Sequence, residues 1–307
     1  MPSSYTYVDF HCDTIGVCPD LYENTCHLDL KRGRGFCGHV QVFAAWVEGK
    51  DSKEKAKNLI SRFYEEQKKH ENLLSLCKTY SGIETALKEK KTAAILSIEG
   101  GEALEGNIEN LDYFYGLGVR LITLTWNHEN ELGGGSMSGY TEGLKPFGKE
   151  VVQKMQDMDM IVDISHLNEN GFWDVIEISK KPITASHSNS KKICGHPRNL
   201  TDEQFLAIKN TGGVVGINLY SQFLSPKGAT IDDIVKHIEH FCSLGGENHV
   251  GMGADFDGVD ELPKDIAGIE DVDKIFEYLL KLNYKEEVVR KIAGENYLNF
   301  LKQTLKG

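Results

Sequence analysis

Five apolar segments of the sequence are each followed by histidine or carboxylate side chains, the residue types that suit a divalent metal. The residues concerned are His11, Asp13, Glu99, His166, His187 and Asp255. Any one of these placements is plausible by chance, but all of them together are not. The sequence therefore predicts that these side chains belong to one metal site.

The first segment shows how two of these residues can point to one place. Residues 5–10 have the composition of a β-strand, and successive side chains of an extended chain point to opposite faces. His11 and Asp13 therefore point the same way, while Cys12 points away from them. The pair suits a divalent metal, although two such side chains alone could also be solvated or hydrogen-bonded to each other.

The number of candidate ligands indicates more than one metal ion. A catalytic zinc ion usually has three protein ligands and a water molecule, and this chain offers six candidates. Six suit two ions about 3.5–4 Å apart, bridged by a carboxylate and a hydroxide. Because zinc lowers the pKa of bound water toward roughly 7, such a site hydrolyses amides, esters or phosphoesters at neutral pH. Mn²⁺, Co²⁺ and Fe²⁺ also accept these ligands.

The segments that carry the candidate ligands alternate with amphipathic stretches, which predicts an α/β fold with a parallel sheet. Strands are predicted at 5–10, 38–46, 92–98, 121–125, 161–165, 183–186, 214–218 and 249–254. Helices are predicted at 52–77, 107–117, 146–158, 168–179, 201–210 and 230–244, with a closing helix at 285–304. Eight such units predict a (β/α)8 TIM barrel in a single domain over 1–307, with the chemistry at the carboxyl ends of the strands. A doubly wound open sheet is the alternative.

The composition excludes several classes of partner. The 307-residue chain has a formal net charge of −12, which disfavours nucleic acid and anionic membranes as partners. No apolar run approaches the roughly 20 residues that a membrane-spanning helix needs. No secretory signal is recognisable at the N-terminus. Seven scattered cysteines without a C-x-x-C pair predict free thiols in a reducing compartment, and hence a cytoplasmic location.

Five motifs of the sequence resemble those of the renal (membrane) dipeptidase family, which belongs to the metal-dependent hydrolases of the amidohydrolase superfamily. The motifs are Asp9-Phe10-His11-Cys12-Asp13, Ser97-Ile98-Glu99-Gly100, Asp163-Ile164-Ser165-His166, Ala185-Ser186-His187-Ser188 and Gly253-Ala254-Asp255-Phe256-Asp257-Gly258. They follow the order of the family, and the resemblance extends from about residue 7 to about residue 300. It implies a (β/α)8 barrel, in agreement with the strand count.

The resemblance also implies a ligand set. In the family's pattern His11 and Asp13 bind one zinc ion, His166 and His187 bind the other, and Glu99 bridges the two. The implied function is a zinc-dependent dipeptidase in which a metal-bridging hydroxide attacks the peptide bond of a dipeptide. A homodimer is implied by the resemblance alone.

Two further roles come from the resemblance. Asp255 matches the family's acid/base carboxylate, which is expected to give a proton to the leaving amine. Arg198 matches the arginine that binds the terminal carboxylate of the substrate, and a guanidinium is suited to bidentate binding of a carboxylate. Without the resemblance, Arg198 would be interpreted as part of a surface salt bridge.

One position departs from the family's pattern. Well-studied members have a histidine after the fourth strand that contacts the substrate near the scissile carbonyl, and this chain has Trp126 there. His128 could supply the imidazole, Asn127 could donate a hydrogen bond, or Trp126 could shape the pocket. Two alternatives therefore stay open. One is another amidohydrolase reaction, on an N-acyl amino acid, a lactone or a phosphoester; the other is a metal-binding protein without activity.

Overall fold

A parallel β-sheet forms the centre of the computed structural model, which describes residues 3–306. Within this part of the chain there are nine strands. They are β1 (Thr6–Cys12), β2 (Gly38–Trp46), β3 (Leu74–Leu76), β4 (Thr92–Glu99), β5 (Val119–Thr123), β6 (Ile161–Asp163), β7 (Thr184–Ala185), β8 (Val214–Ile217) and β9 (Val250–Met252).

Eight of these strands close into a barrel. Strand β1 pairs with β2 and with β9, β2 pairs with β4, and β4 to β9 follow one another in sequence order. These are the eight strands that the sequence predicts, so the (β/α)8 barrel is confirmed. Every residue of β4 is buried. Both faces of a parallel sheet are covered, so the apolar residues of this strand do not alternate with exposed polar ones.

The ninth strand was not predicted. The helix expected at 52–77 ends at Lys69, and Leu74–Leu76 pairs instead with the start of β4, beside Thr92. A three-residue strand is too short to show a period of two in the sequence. The free edge of β4 at this point, which only the folded barrel creates, makes the segment a strand.

Helices connect the strands and cover the barrel. They are α1 (Thr14–Val17), α2 (Leu30–Gly33), α3 (Ser52–Lys69), α4 (Tyr80–Lys88), α5 (Glu109–Gly116), α6 (Pro146–Asp157), α7 (Glu169–Ile178), α8 (Asp202–Asn210), α9 (Ser221–Leu224), α10 (Ile231–Ser243), α11 (Asp273–Lys281), α12 (Glu286–Arg290) and α13 (Asn296–Thr304). Short 3-10 turns lie at Gly101–Leu104 and Ile269–Asp271. A π-helical turn at Lys291–Glu295 joins α12 to α13, and these three elements occupy the range predicted as the closing helix, 285–304.

Local sequence explains where several helices begin. The side chain of Asn168 accepts a hydrogen bond from the Gly171 amide at the start of α7. Thr201 and Gln204 form a reciprocal capping box at the start of α8. Pro146 occupies the first turn of α6, where a missing N–H costs nothing. These helices follow or precede barrel strands, so their caps help to fix the loops at the strand ends.

One prediction about the cysteines is wrong. Cys18 and Cys26 form a disulfide within the segment between β1 and β2, with their Cα atoms 6.3 Å apart. The fold of this segment brings them together, and their spacing matches no motif that would reveal the pair. Disulfides persist mainly in oxidising environments, so this one weakens the basis of the cytoplasmic location, which stays a prediction. Among residues 3–306, no helix has the length and apolar character needed to cross a membrane.

Candidate metal centre

The side chains predicted to bind metal meet at the carboxyl end of the barrel. His11 lies at the end of β1 and Glu99 at the end of β4, and both are buried. The Nε2 atom of His11 is 3.3 Å from Asp13 Oδ2 and 3.3 Å from Glu99 Oε2. These three residues form the first group of candidate metal ligands, the first ligand group.

A second ligand group lies on the other side of Glu99. Its Oε1 atom is 3.0 Å from His166 Nε2 and 3.5 Å from His187 Nε2, after strands β6 and β7. The two imidazole Nε2 atoms are 2.8 Å from each other. Glu99 therefore turns one oxygen toward each group, which is the arrangement that a bridging carboxylate requires.

The residues present fit two divalent metal ions. Both ring nitrogens of His11 and the Oδ1 atom of Asp13 are buried and have no hydrogen-bond partner among the described residues. Buried polar atoms are normally bonded, so these atoms indicate a ligand that binds to them. Within each group the candidate ligand atoms lie within 4.8 Å of one another, and imidazole with carboxylate is a donor set for zinc and its neighbours.

Burial and charge set the protonation of the ligand side chains. Burial lowers the pKa of His166 and of His187 well below the ordinary value, so both are neutral and can donate a lone pair. Burial raises the pKa of Glu99 to about 7. For His11 burial acts to lower the pKa, but Glu99 and Asp13 outweigh it and raise the pKa well above the ordinary value. The carboxylates thus favour a positive charge at this point.

The backbone is unusual at two of the predicted site residues. His166 has φ 66° and Asp255 has φ 62°, in the left-handed region that non-glycine residues seldom adopt. Such conformations cluster where a side chain must point in a particular direction. Gly258 lies so close to the carboxylates of Asp13 and Asp255 that a Cβ atom there would overlap both.

Asp255 lies beside the first ligand group. Its Oδ1 atom is 3.7 Å from His11 Nε2, and its Oδ2 atom accepts a hydrogen bond of 2.8 Å from the side-chain amide of Asn218. Burial raises the pKa of Asp255 above its ordinary value. Asn218 also ends a predicted strand, but the pattern of histidine and carboxylate side chains at strand ends does not include an asparagine.

Two buried carboxylates hold the strand ends that carry the ligands. Asp9 accepts hydrogen bonds from the backbone amides of His11, at 3.2 Å, and Ala254, at 2.9 Å, and so joins the ends of β1 and β9. Its other oxygen accepts from the Tyr7 hydroxyl at 2.8 Å. Burial raises the pKa of Asp9 to about 6.

Asp163 performs the corresponding task for β6 and β7. One oxygen accepts from the backbone amide of Ser186 at 2.8 Å. The other accepts from the hydroxyls of Ser186, at 2.5 Å, and Thr123, at 2.6 Å. Because the Ser186 hydroxyl donates to Asp163, its oxygen accepts the Nδ1 proton of His187 across 2.7 Å, which leaves the Nε2 lone pair facing Glu99. Asn127 Oδ1 acts on His166 Nδ1 in the same way, at 2.9 Å.

Replacing Ser186 by alanine should therefore weaken metal binding by about 10–100-fold, because His187 loses the acceptor that fixes its tautomer. The matched control is Thr123→Val, which removes another hydroxyl donor from the same Asp163 oxygen without touching His187. Zinc affinity of both variants can be measured by competition with a chromophoric chelator. Equal affinities in the two variants would show that Ser186 does not position His187.

Arg198 lies beside the second ligand group with its guanidinium buried. Its Nη2 atom donates to the His187 carbonyl at 3.1 Å and Nη1 to the Ser188 hydroxyl at 3.4 Å. Its Nε atom has no hydrogen-bond partner, and Arg198 forms no ion pair with any carboxylate of residues 3–306. Burial lowers the pKa of Arg198 to about 10, so it stays charged at neutral pH. A cavity of about 150 Å³ opens beside Arg198 and His166.

The two remaining predicted residues are Trp126 and His128, whose rings lie 5.6 Å apart between centroids. The Trp126 ring is half-buried, with its centroid 6.3 Å from that of the His166 ring. His128 is exposed and hydrogen-bonded to Glu48, a partner 80 residues away that the sequence could not indicate. Neither contact tests whether Trp126 or His128 binds substrate, and those roles stay predictions.

A sequence profile of the membrane dipeptidase family, peptidase family M19, matches residues 4–306. The chain belongs to this family. The resemblance seen in the five motifs is thereby confirmed over almost the whole sequence.

Relatives of the chain agree with this membership. A Klebsiella pneumoniae protein encoded in the pqqA 5′ region is 35% identical over 240 residues, covering 75% of this chain and 88% of that protein. An uncharacterized dipeptidase of Schizosaccharomyces pombe is 37% identical over 220 residues, covering 69% of this chain and 53% of the yeast protein. The matched region thus spans about half of the yeast relative.

A solved structure superposes closely on this chain. It is a metallopeptidase from Rhodobacter sphaeroides bound to a phosphinate mimic of the dipeptide L-Ala-D-Ala. The two chains are 26% identical with a TM-score of 0.91, and the match covers 98% of this chain and 100% of the other. The structural similarity therefore extends from the first strand to the closing helices.

Proposed function

We propose that this member of the membrane dipeptidase family is a zinc-dependent dipeptidase that hydrolyses the peptide bond of dipeptides. Two zinc ions are expected, one held by His11, Asp13 and Glu99 and the other by Glu99, His166 and His187. When bound, such ions lower the pKa of a water molecule and polarise a carbonyl group. Mn²⁺, Co²⁺ or Fe²⁺ would suit the same donors.

The observation that carries the proposal is the unpaired charge of Arg198 beside the ligand groups. A buried charge is costly unless it is paired, and among residues 3–306 this guanidinium bonds only to neutral oxygens. A substrate carboxylate would supply the missing partner through a bidentate interaction. Binding a carboxylate here places the adjoining peptide group toward His187 and Glu99, and restricts the substrate to short peptides with a free C-terminus.

We assign the proton transfer to the leaving amine to Asp255. Its carboxyl group lies beside the first ligand group and is held by Asn218. In the proposed reaction Asp255 protonates the amine that leaves when the peptide bond breaks. The distance of 3.7 Å between Asp255 Oδ1 and His11 Nε2 supports this role.

The decisive experiment measures hydrolysis of dipeptides and of the matching dipeptide amides by zinc-loaded protein. Arg198→Ala should lose about 2–5 kcal/mol of binding to the dipeptide, because it removes one partner of a buried charge pair. That loss corresponds to roughly 30- to 4,000-fold in kcat/KM.

Dipeptide amides provide the control, because they lack the carboxylate and Arg198→Ala should not slow their hydrolysis further. Equal activity of the wild type and Arg198→Ala on dipeptides would contradict the anchoring role. Turnover of a lactone or phosphoester without any dependence on Arg198 would favour another amidohydrolase reaction. A metal-loaded protein without activity on any of these substrates would favour the metal-binding alternative. The homodimer stays a prediction.

A further inference from the structure

Two tryptophans stand at the mouth of the barrel beside the metal ligands. Trp46 ends β2, and its side chain is 40% exposed. Its ring centroid is 5.2 Å from that of Trp126, with the two planes at 72°. The ring centroid of Trp126 is in turn 6.3 Å from that of His166, so the tryptophan pair lies next to the second ligand group. An exposed apolar surface that is rimmed by polar residues often marks a ligand-binding site.

The strand register directs Trp46 toward the site. Trp46 is the direct neighbour of Glu99 in the parallel pairing of β2 with β4. Residues in register on adjacent strands have side chains on the same face of the sheet, and the side chain of Glu99 points toward the ligands. The indole of Trp46 therefore lies over the inner side of the barrel mouth and not among the outer helices.

The strand order also separates Trp46 from Arg198. Around the closed barrel, β2 and β7 are four strands apart in either direction, so they lie opposite each other. Arg198 bonds to His187 and Ser188, which directly follow β7. The two ligand groups lie between Trp46 and Arg198. A substrate held by its carboxylate at Arg198 thus extends across the ligands toward the tryptophans.

We infer that Trp46 and Trp126 form a subsite for a large apolar side chain on the N-terminal residue of the dipeptide. This inference rests on the proposed function. In an anchored dipeptide the scissile carbonyl belongs to the N-terminal residue, whose side chain must then lie on the side away from Arg198. Edge-on indoles suit aromatic or branched aliphatic groups.

The neighbouring polar groups support an apolar occupant. Glu48 and His128, which follow Trp46 and Trp126 by two residues each, are hydrogen-bonded to each other. The His128 ring also packs against Trp126, with centroids 5.6 Å apart. One oxygen of Glu48 is therefore already partnered, so a basic substrate side chain would gain less from Glu48 than from a free carboxylate.

The first test compares hydrolysis of Phe-Ala, Leu-Ala, Lys-Ala and Gly-Ala by the zinc-loaded wild type and by Trp46→Ala and Trp126→Ala. We expect kcat/KM for Phe-Ala to exceed that for Gly-Ala by at least about tenfold in the wild type, and each variant to lose most of this preference. The matched control is Trp173→Ala, at an indole that is 39% exposed on the outer helix α7 and packs against Phe172. The control should keep the preference.

Fluorescence gives a readout that needs no turnover. Trp173→Phe leaves Trp46 and Trp126 as the only indoles of the chain. Titration of this zinc-loaded variant with phosphinate mimics of Phe-Ala and of Gly-Ala should change its emission, with the Phe-Ala mimic binding at least about tenfold more tightly. The same titration remains informative if Trp46→Ala or Trp126→Ala fails to fold.

Several results would overturn the inference. They are a preference for Lys-Ala, an equal loss on Phe-Ala and Gly-Ala in the Trp46 and Trp126 variants, or equal affinity for the two mimics. Absence of hydrolysis of every dipeptide would instead count against the proposed function. In that case the fluorescence titration alone decides whether the tryptophans bind an apolar group.

Discussion

Glu99→Gln is expected to abolish binding of at least one metal ion and to lower dipeptide hydrolysis by about 10³-fold or more. The carboxylate reaches His11 with one oxygen and His166 with the other, across 3.3 and 3.0 Å. Glutamine has nearly the same shape, but it replaces one carboxylate oxygen by an NH2 group, which cannot bind a cation. Losing the several kcal/mol that a metal ion contributes to the transition state accounts for the loss of rate.

The measurements are zinc content after dialysis and the rate of dipeptide hydrolysis. Glu102→Gln provides the control, because Glu102 is a partly buried carboxylate three residues later that bonds instead to the Asn130 amide at 2.9 Å. It should retain both zinc ions and full activity. If Glu99→Gln retains two zinc ions per chain, then Glu99 does not bridge the ligand groups.

Asp255→Asn is expected to keep its zinc and to lose turnover by about 10²–10⁴-fold, the usual contribution of a general acid. Asparagine has the same shape and tolerates the left-handed backbone of this position, so the fold around it should persist. It also retains an oxygen that can accept the hydrogen bond from Asn218. It cannot deliver a proton to the leaving amine, which isolates the chemical role.

Asp257→Asn is the control for this variant. Asp257 has φ 67°, close to that of Asp255, but its carboxylate accepts hydrogen bonds from the Thr14 hydroxyl and the His27 amide, both at 2.6 Å. We expect this change to lower thermal stability and to leave turnover much closer to wild type. Full activity of zinc-loaded Asp255→Asn would refute the proton-donor role, and loss of zinc would reassign Asp255 as a ligand.

The sequence alone was enough to predict the barrel and to bring together its metal-competent side chains. Strands and helices alternate, and a parallel barrel places all the carboxyl ends of its strands at one face. Residues as far apart as His11 and His187 therefore had to meet there if the strand count was correct. The left-handed backbone at His166 and Asp255 could not be foreseen, because it depends on how each loop leaves its strand.

Other features were decided by the tertiary structure. Strand β3 exists because β4 leaves an edge free, and the Cys18–Cys26 disulfide forms because the segment between β1 and β2 folds back on itself. The contacts of Trp46 with Trp126 and of Glu48 with His128 join loops that are about 80 residues apart. Periodicity and motifs describe neighbours along the chain, whereas these contacts depend on which strands become neighbours in the closed barrel. The candidate ligands can therefore be predicted from periodicity and motifs. The shape of the proposed substrate site depends on the contacts between strands of the closed barrel.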